Sequence, residues 1–215
     1  AAIRCIDPPS SGDQPNVVPS RAAVWYYIRE MEYDGIRRNF DIAIRTAEGA
    51  ALMTDTRMSY RVRGAAGPRH FNRVIAETMY RHIEDVGLPE WDENDQTLAM
   101  AVQREVGSVP SGLATSLGPI GTPTRERSSG GSDDIGDVSW VVPTVTLSFP
   151  SNIPGLPGHH SSNAIAMATP IAPKGVVAGA HVMARTALHL FFEPSLIEAA
   201  WKYFREEQTA NQQYQ

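Results

Sequence analysis

The stretch from Gly130 to Ser162, GGSDDIGDVSWVVPTVTLSFPSNIPGLPGHHSS, constrains this chain more than any other. Val141–Phe149 carries the β-branched and aromatic residues of a strand. Before it lies an acidic, Gly-rich turn (Asp133, Asp134, Asp137), and after it a Pro/Gly turn ending in His159 and His160. A buried strand with carboxylates at one end and imidazoles at the other is material for a metal site. The rest of the chain reads as scaffold around it.

The 215 residues suffice for one large domain or two small ones. A net charge of −5 with no basic run disfavours nucleic-acid partners and a polybasic membrane anchor. The apolar runs fall short of a bilayer span, and no signal peptide is visible. The start, Ala-Ala-Ile-Arg-Cys-Ile-Asp, reads like the middle of a strand within a larger protein. The single cysteine, Cys5, reads as a buried thiol between Ile3 and Ile6 and fits a reducing, cytoplasmic compartment.

Residues 1–7 and Ala22–Arg29 read as strands. Asp34 is placed to cap a helix over 35–54, with Ile36, Phe40, Ala43, Ile44, Ala47 and Ala51 on one stripe. Arg57–Arg63 alternates like a half-exposed strand. Gly64–Pro68 breaks the pattern. Helices are predicted over 71–86, 92–106, 174–192 and 194–207, the third with a wide apolar face of Val177, Ala180, Met183, Ala184, Ala187, Leu188 and Phe191. Between 107 and 131 the chain is a long Ser/Gly/Pro/Thr-rich excursion, either a specificity loop or an unstructured one. The expected fold class is α/β: a partial α+β layer over 1–66 and part of an α/β domain over 67–215.

No Gly-x-Ser-x-Gly elbow, P-loop or dinucleotide fingerprint is present. Zinc accepts neutral imidazole and carboxylate, so His159 or His160 qualifies as a ligand; the alternative is a surface role. The chain lacks a His-x-Asp pair, so a complete zinc site cannot be written. Asp137 either caps the segment Val138–Trp140 or supports a metal from behind. His82, His181 and His189 read as structural.

Several motifs resemble those of one family. Over 12–29, GDQPNVVPSRAAVWYYIR is similar to the strand–turn–strand of the dimerisation (lid) domain in dinuclear metal amidohydrolases of the aminoacylase/carboxypeptidase superfamily. AEGAALMT (47–54), GLPEW (87–91), SDDIGDVSWVVP (132–143) and PGHHSSNAIAMATPIAPKG (157–175) resemble landmarks of its aminobenzoyl-glutamate utilisation protein B-like branch.

The resemblance implies an amidohydrolase with two zinc ions, sometimes manganese, that cleaves an amide bond to an amino acid such as glutamate by metal-activated water. By the same resemblance His159 is a metal ligand, with His160 the alternative. Asn16 contacts substrate, and Asp137 and Ser139 line the site behind the ligands. The other ligands and the general-base glutamates are not found in this chain, which then resembles a C-terminal half. The partners implied are an upstream half or a second chain, a second copy paired through the lid, and a small amide substrate. The non-enzymatic alternative is an interaction subunit that keeps the lid fold without a complete metal site.

Overall fold

A computed structural model describes Ala2, Ile3, Asn16, residues 18–121, residues 133–211 and Tyr214. Cys5 and the 122–131 part of the long excursion lie outside the described residues. The chain divides into two compact units: residues 1–70 with 123–141 and 214–215, and residues 71–122 with 142–213.

Among the described residues of the first unit, β1 (Ala2–Ile3) pairs antiparallel with β2 (Tyr26–Tyr27). Helix α1 (Tyr33–Met53) follows. Its N-cap is Glu32, which makes no side-chain capping bond, so Asp34 lies in the first turn instead of capping. The apolar stripe read from the sequence is the half-buried side of α1, and no residue of this helix is fully buried. Phe40 packs edge-on against Tyr60, and Arg63 lies over the Trp25 ring. The alternating run 57–63 forms no strand. A later helix, Ile135–Val141 (α4), completes the described elements of this unit.

The second unit is helical: α2 (Arg73–Val86), α3 (Glu93–Glu105), α5 (Ser161–Met167), α6 (Ile171–Phe192) and α7 (Pro194–Tyr203), extended by a π-helical turn at Phe204–Gln208. Helix α2 packs on α6 and α7, and α5 and α7 also pack on α6. A core of Ala99, Leu113, Ile153, Ala166 and Ile171 joins α3, α5 and α6 to the intervening loops. The first part of the excursion is tied down. Leu113 is buried, its N–H donates to Gln96 Oε1 at 2.8 Å, and the Gly112 N–H donates to Gln103 Oε1 at 2.8 Å.

The expected α/β class is met only in part. Among the described residues the fold is mainly helical, with a single two-residue strand pair. The strand expected at Val141–Phe149 does not form: Val141 ends α4, and 143–150 have no regular structure. A strand pattern becomes a strand only beside a partner that takes its N–H and C=O groups. The 147–151 segment lies instead against the glycines of α6. A Cβ on Gly175 would run into the Pro150 carbonyl oxygen, and one on Gly179 would sit 3.2 Å from Phe149 Cβ.

Helix α6 buries a side other than the wide apolar face read from its sequence. It buries Ile171, Gly175, Gly179, Val182 and Thr186. The side carrying Pro173, Val176, Val177, Ala180, Met183, Ala184, Ala187, Leu188 and Phe191 is exposed throughout and bears no charge. Small residues on the buried side let the 147–151 backbone approach, which a larger side chain would prevent. By length and composition α6 is apolar enough to cross a bilayer.

Helix α3 begins with a capping box: Asp92 accepts the Asp95 N–H, and Asp95 accepts the Asp92 N–H. Lys174 of α6 binds both carboxylates, at 2.5 Å from Asp95 and 3.1 Å from Asp92. The Asp95 N–H, and then the ammonium, hold the Asp92 carboxyl below its ordinary pKa. Lys174 is raised, first by Asp95 and then by Asp92. A lowered carboxyl stabilises fully above its unfolded value, about 3.9, and loses that contribution as pH falls through the folded value. A raised lysine stabilises below its unfolded value, about 10.4, and loses it as pH rises through the folded value. The cluster therefore stabilises across neutral pH. Lys174→Met should flatten the acid side of the stability profile, read as thermal midpoint against pH from 7 down to 3.

Candidate functional site

The histidine turn belongs to the second unit and is held in several places. Gln103 Nε2 donates to Pro154 O at 3.1 Å, Ser108 Oγ to Gly155 O at 2.6 Å, and Asn163 Nδ2 to Pro157 O at 2.6 Å. Ile153, at the base of the turn, is buried in the core. Gly155 takes a left-handed φ of 76°, as a Pro-Gly-Leu-Pro-Gly sequence favours.

The two histidines diverge at this point. His160 is the N-cap of α5: its Nδ1 accepts the Ser162 N–H at 3.2 Å and lies 2.8 Å from Ser162 Oγ. An N-cap whose acceptor atom is used in this way holds a helix end. His159 is exposed and has φ 55°, a left-handed backbone that is uncommon outside glycine. Such a conformation persists where the surrounding structure imposes it, and it clusters at functional sites.

The acidic turn belongs to the first unit. Asp133 Oδ1 accepts the N–H of Ile135, the first residue of α4, whereas Asp137 lies within the first turn of α4 and does not cap the segment Val138–Trp140. Asp133 also pairs with Arg69 at 3.5 Å. Asp137 Oδ1 accepts the Gly67 N–H at 2.6 Å. Ser139 is fully buried; its Oγ accepts the His70 N–H at 3.3 Å and donates to Gly136 O at 2.6 Å. Trp140 Nε1 donates to Pro68 O at 2.7 Å. Side chains of α4 thus hold the backbone of 67–70, and Gly136 lets the two segments touch, since a Cβ there would strike the Gly67 carbonyl oxygen.

This clamp surrounds two groups that the sequence did not single out. His70 stacks edge-on against Trp140 with ring centroids 4.4 Å apart, and burial lowers its pKa, keeping the imidazole neutral. Tyr33 packs on the same indole, and burial followed by the Asp137 carboxylate raises its pKa. Its hydroxyl is buried without a hydrogen-bond partner. Neither residue sits in a motif or a periodic position, so no sequence signal marks it. Asn16 is exposed in a turn whose flanking residues lie outside the described ones.

Two shallow grooves flank Trp91. One, of about 310 Å³, is lined by Leu88, Pro89, Trp91, Thr115 and Leu117. The other, of about 860 Å³, is lined by Pro89 to Asp92, Pro170, Pro173, Lys174 and Val177. Neither is lined by Asn16, Asp137, Ser139, His159 or His160. Among the described residues no group of three or more His, Cys, Asp or Glu is placed to hold a metal ion.

Comparison with known proteins adds the decisive observation. The chain is 30% identical over 214 residues to one of the subunits of p-aminobenzoyl-glutamate hydrolase from Escherichia coli (strain K12), the one designated B. The chain is a relative of that protein. The match takes in 88% of this chain and 44% of the E. coli protein, so the chain spans less than half the length of the curated relative it matches. No protein-family model matches the chain, and no solved structure matches it. The branch named by the sequence motifs is the one to which the E. coli protein belongs.

Proposed function

We propose that the chain supplies one wall of a hydrolase that cleaves an amide bond to an amino acid, with aminobenzoyl-glutamate as the model substrate. The likeness to the E. coli hydrolase subunit carries this reading. Within it, His159 is the metal ligand, Asn16 a substrate-binding group, and Asp137 and Ser139 supports that fix the 67–70 backbone. His159 is favoured over His160 because His160 caps α5, whereas His159 is exposed on a left-handed backbone. Residues 1–66 act as part of the lid through which two copies pair, and residues 67–215 as part of the catalytic domain, in the cytoplasm.

The described residues do not by themselves fit a zinc or manganese site, because His159 has no second and third donor around it. The remaining donors and the general base come from an upstream half or a second chain, and no chemical step is assigned to this chain alone. The test combines the chain with the complementary N-terminal part of the E. coli relative and measures amidase activity and bound metal. Activity is expected only in the combination. His159→Ala should lower it at least about 100-fold, the scale on which removing one key catalytic interaction acts. His160→Ala should leave activity intact and reduce stability by about 1 kcal/mol, as loss of an N-cap does. Full activity in His159→Ala would sink the ligand assignment.

The uncharged, exposed side of α6 favours a second reading, an interaction subunit without catalysis. A helix apolar on both sides is ordinarily covered on both. If the chain is such a subunit, Val177→Glu with Leu188→Glu should abolish complex formation in light scattering, and the complex should bind no catalytic metal.

A further inference from the structure

Residues 145–149 lie on α6 as a strand without a sheet. Their exposure alternates with a period of two: Val145, Leu147 and Phe149 are half-buried, and Thr146 and Ser148 are exposed. The half-buried side meets the helix, where Phe149 Cβ and Leu147 Cδ2 lie 3.2 Å and 3.9 Å from the position of a Cβ on Gly179. Both ends are anchored. Thr144 O accepts the Asn72 N–H at 2.8 Å, and Ile153 is buried in the core. Between these anchors no backbone N–H or C=O of Val145–Phe149 has a hydrogen-bond partner among the described residues. A row of unpaired N–H and C=O groups is a template for another strand. Pro143 and Pro150, which have no N–H to give a ladder, bound it.

We propose that Val145–Phe149 is the edge on which the remainder of the hydrolase docks a β-strand, an inference that rests on the function proposed above. The main chains pair, and the incoming strand lays apolar side chains on α6 beside Leu147 and Phe149. The E. coli relative shows that an occupant of sufficient length exists, since more than half of that protein lies outside the match. A second copy of this chain fits less well. It brings the same five residues, about 17 Å of strand, and a ribbon of two strands is marginal in water. A portion longer than the matched part has room for a sheet, whose edge then continues across 145–149.

Amide hydrogen exchange tests this. In the full chain alone the Val145–Phe149 amides should exchange at close to the rate of an unfolded chain. In the complex co-expressed with the complementary N-terminal part of the E. coli relative they should slow at least about tenfold, on alternate residues if one edge is used. The intact E. coli protein gives a second measurement: the segment aligned with Val145–Phe149 should be equally slow there. Fast exchange in the complex or in the intact relative would overturn the proposal. Slowing in the chain alone that grows with its concentration would also overturn it, because it marks a second copy as the occupant. Amidase activity of the same complex separates this inference from the hydrolase role. An active complex with fast 145–149 amides removes the docking strand alone, and an inactive one with slow amides removes the hydrolase role alone.

Discussion

Gly175→Ala should cost about 3 kcal/mol, read as a lower urea midpoint for the second unit. Alanine normally stabilises a helix interior relative to glycine by about 1 kcal/mol. At 175 the sign reverses, because the new methyl would meet the Pro150 carbonyl oxygen and Ser151 Cα, both backbone atoms. Neither can rotate away as a side chain does. Either α6 moves off the 147–151 segment or that segment lifts, and each opens the packing around Phe149. Overpacking of a close contact costs about 1–3 kcal/mol, occasionally more. Gly49→Ala is the internal control: it lies inside α1 with nothing within 4 Å of its added Cβ. There the helix preference acts alone, and the variant should be more stable by up to about 1 kcal/mol. Equal effects at the two positions would show that the α6 contact is not tight.

Asn72→Ala should destabilise the second unit by about 2–4 kcal/mol. Asn72 is fully buried, and its side chain serves three elements at once. Its Oδ1 caps α2 by accepting the Ile75 N–H at 3.3 Å. Its Nδ2 donates to Ala200 O of α7 at 2.9 Å and to Gln208 Oε1 of the π-helical turn at 2.8 Å. Loss of the cap costs about 1 kcal/mol, and each bond lost from Nδ2 about 0.5–1.5 kcal/mol, the Ala200 carbonyl keeping the Phe204 N–H. Asn72→Ser separates the terms, because serine keeps a capping oxygen and loses the reach to α7. It should recover only the capping share. Equal denaturation midpoints for the two variants would remove the capping bond from the account, and a serine variant as stable as the native chain would remove the α7 bond.

The helices were legible in the sequence because an apolar stripe at helical spacing needs only local chain to reveal it. The half-buried side of α1 is the stripe of Ile36, Phe40, Ala43 and Ile44, and the helix predicted over 71–86 forms as α2 and buries Met79. Helix α5 was not legible: Ser-Ser-Asn-Ala-Ile-Ala-Met has small residues in place of a stripe, and its cap is a histidine. The strand at 141–149 was misread because period and propensity describe one segment, whereas a ladder requires two.

The site divides in the same way. Sequence alone determined that His159 and His160 sit at a Pro/Gly turn, that Asp137 and Ser139 share an acidic segment, and which branch of hydrolases the motifs resemble. Only the tertiary structure decided that His160 caps α5 and that His159 carries the left-handed backbone. It also decided that α6 buries its glycines and leaves its larger apolar residues exposed, and that His82 meets His189 from 107 positions away. Local chemistry fixes turns, caps and periodicity. Which face is buried, and which imidazole meets another, depends on partners distant in sequence, and no local pattern encodes them.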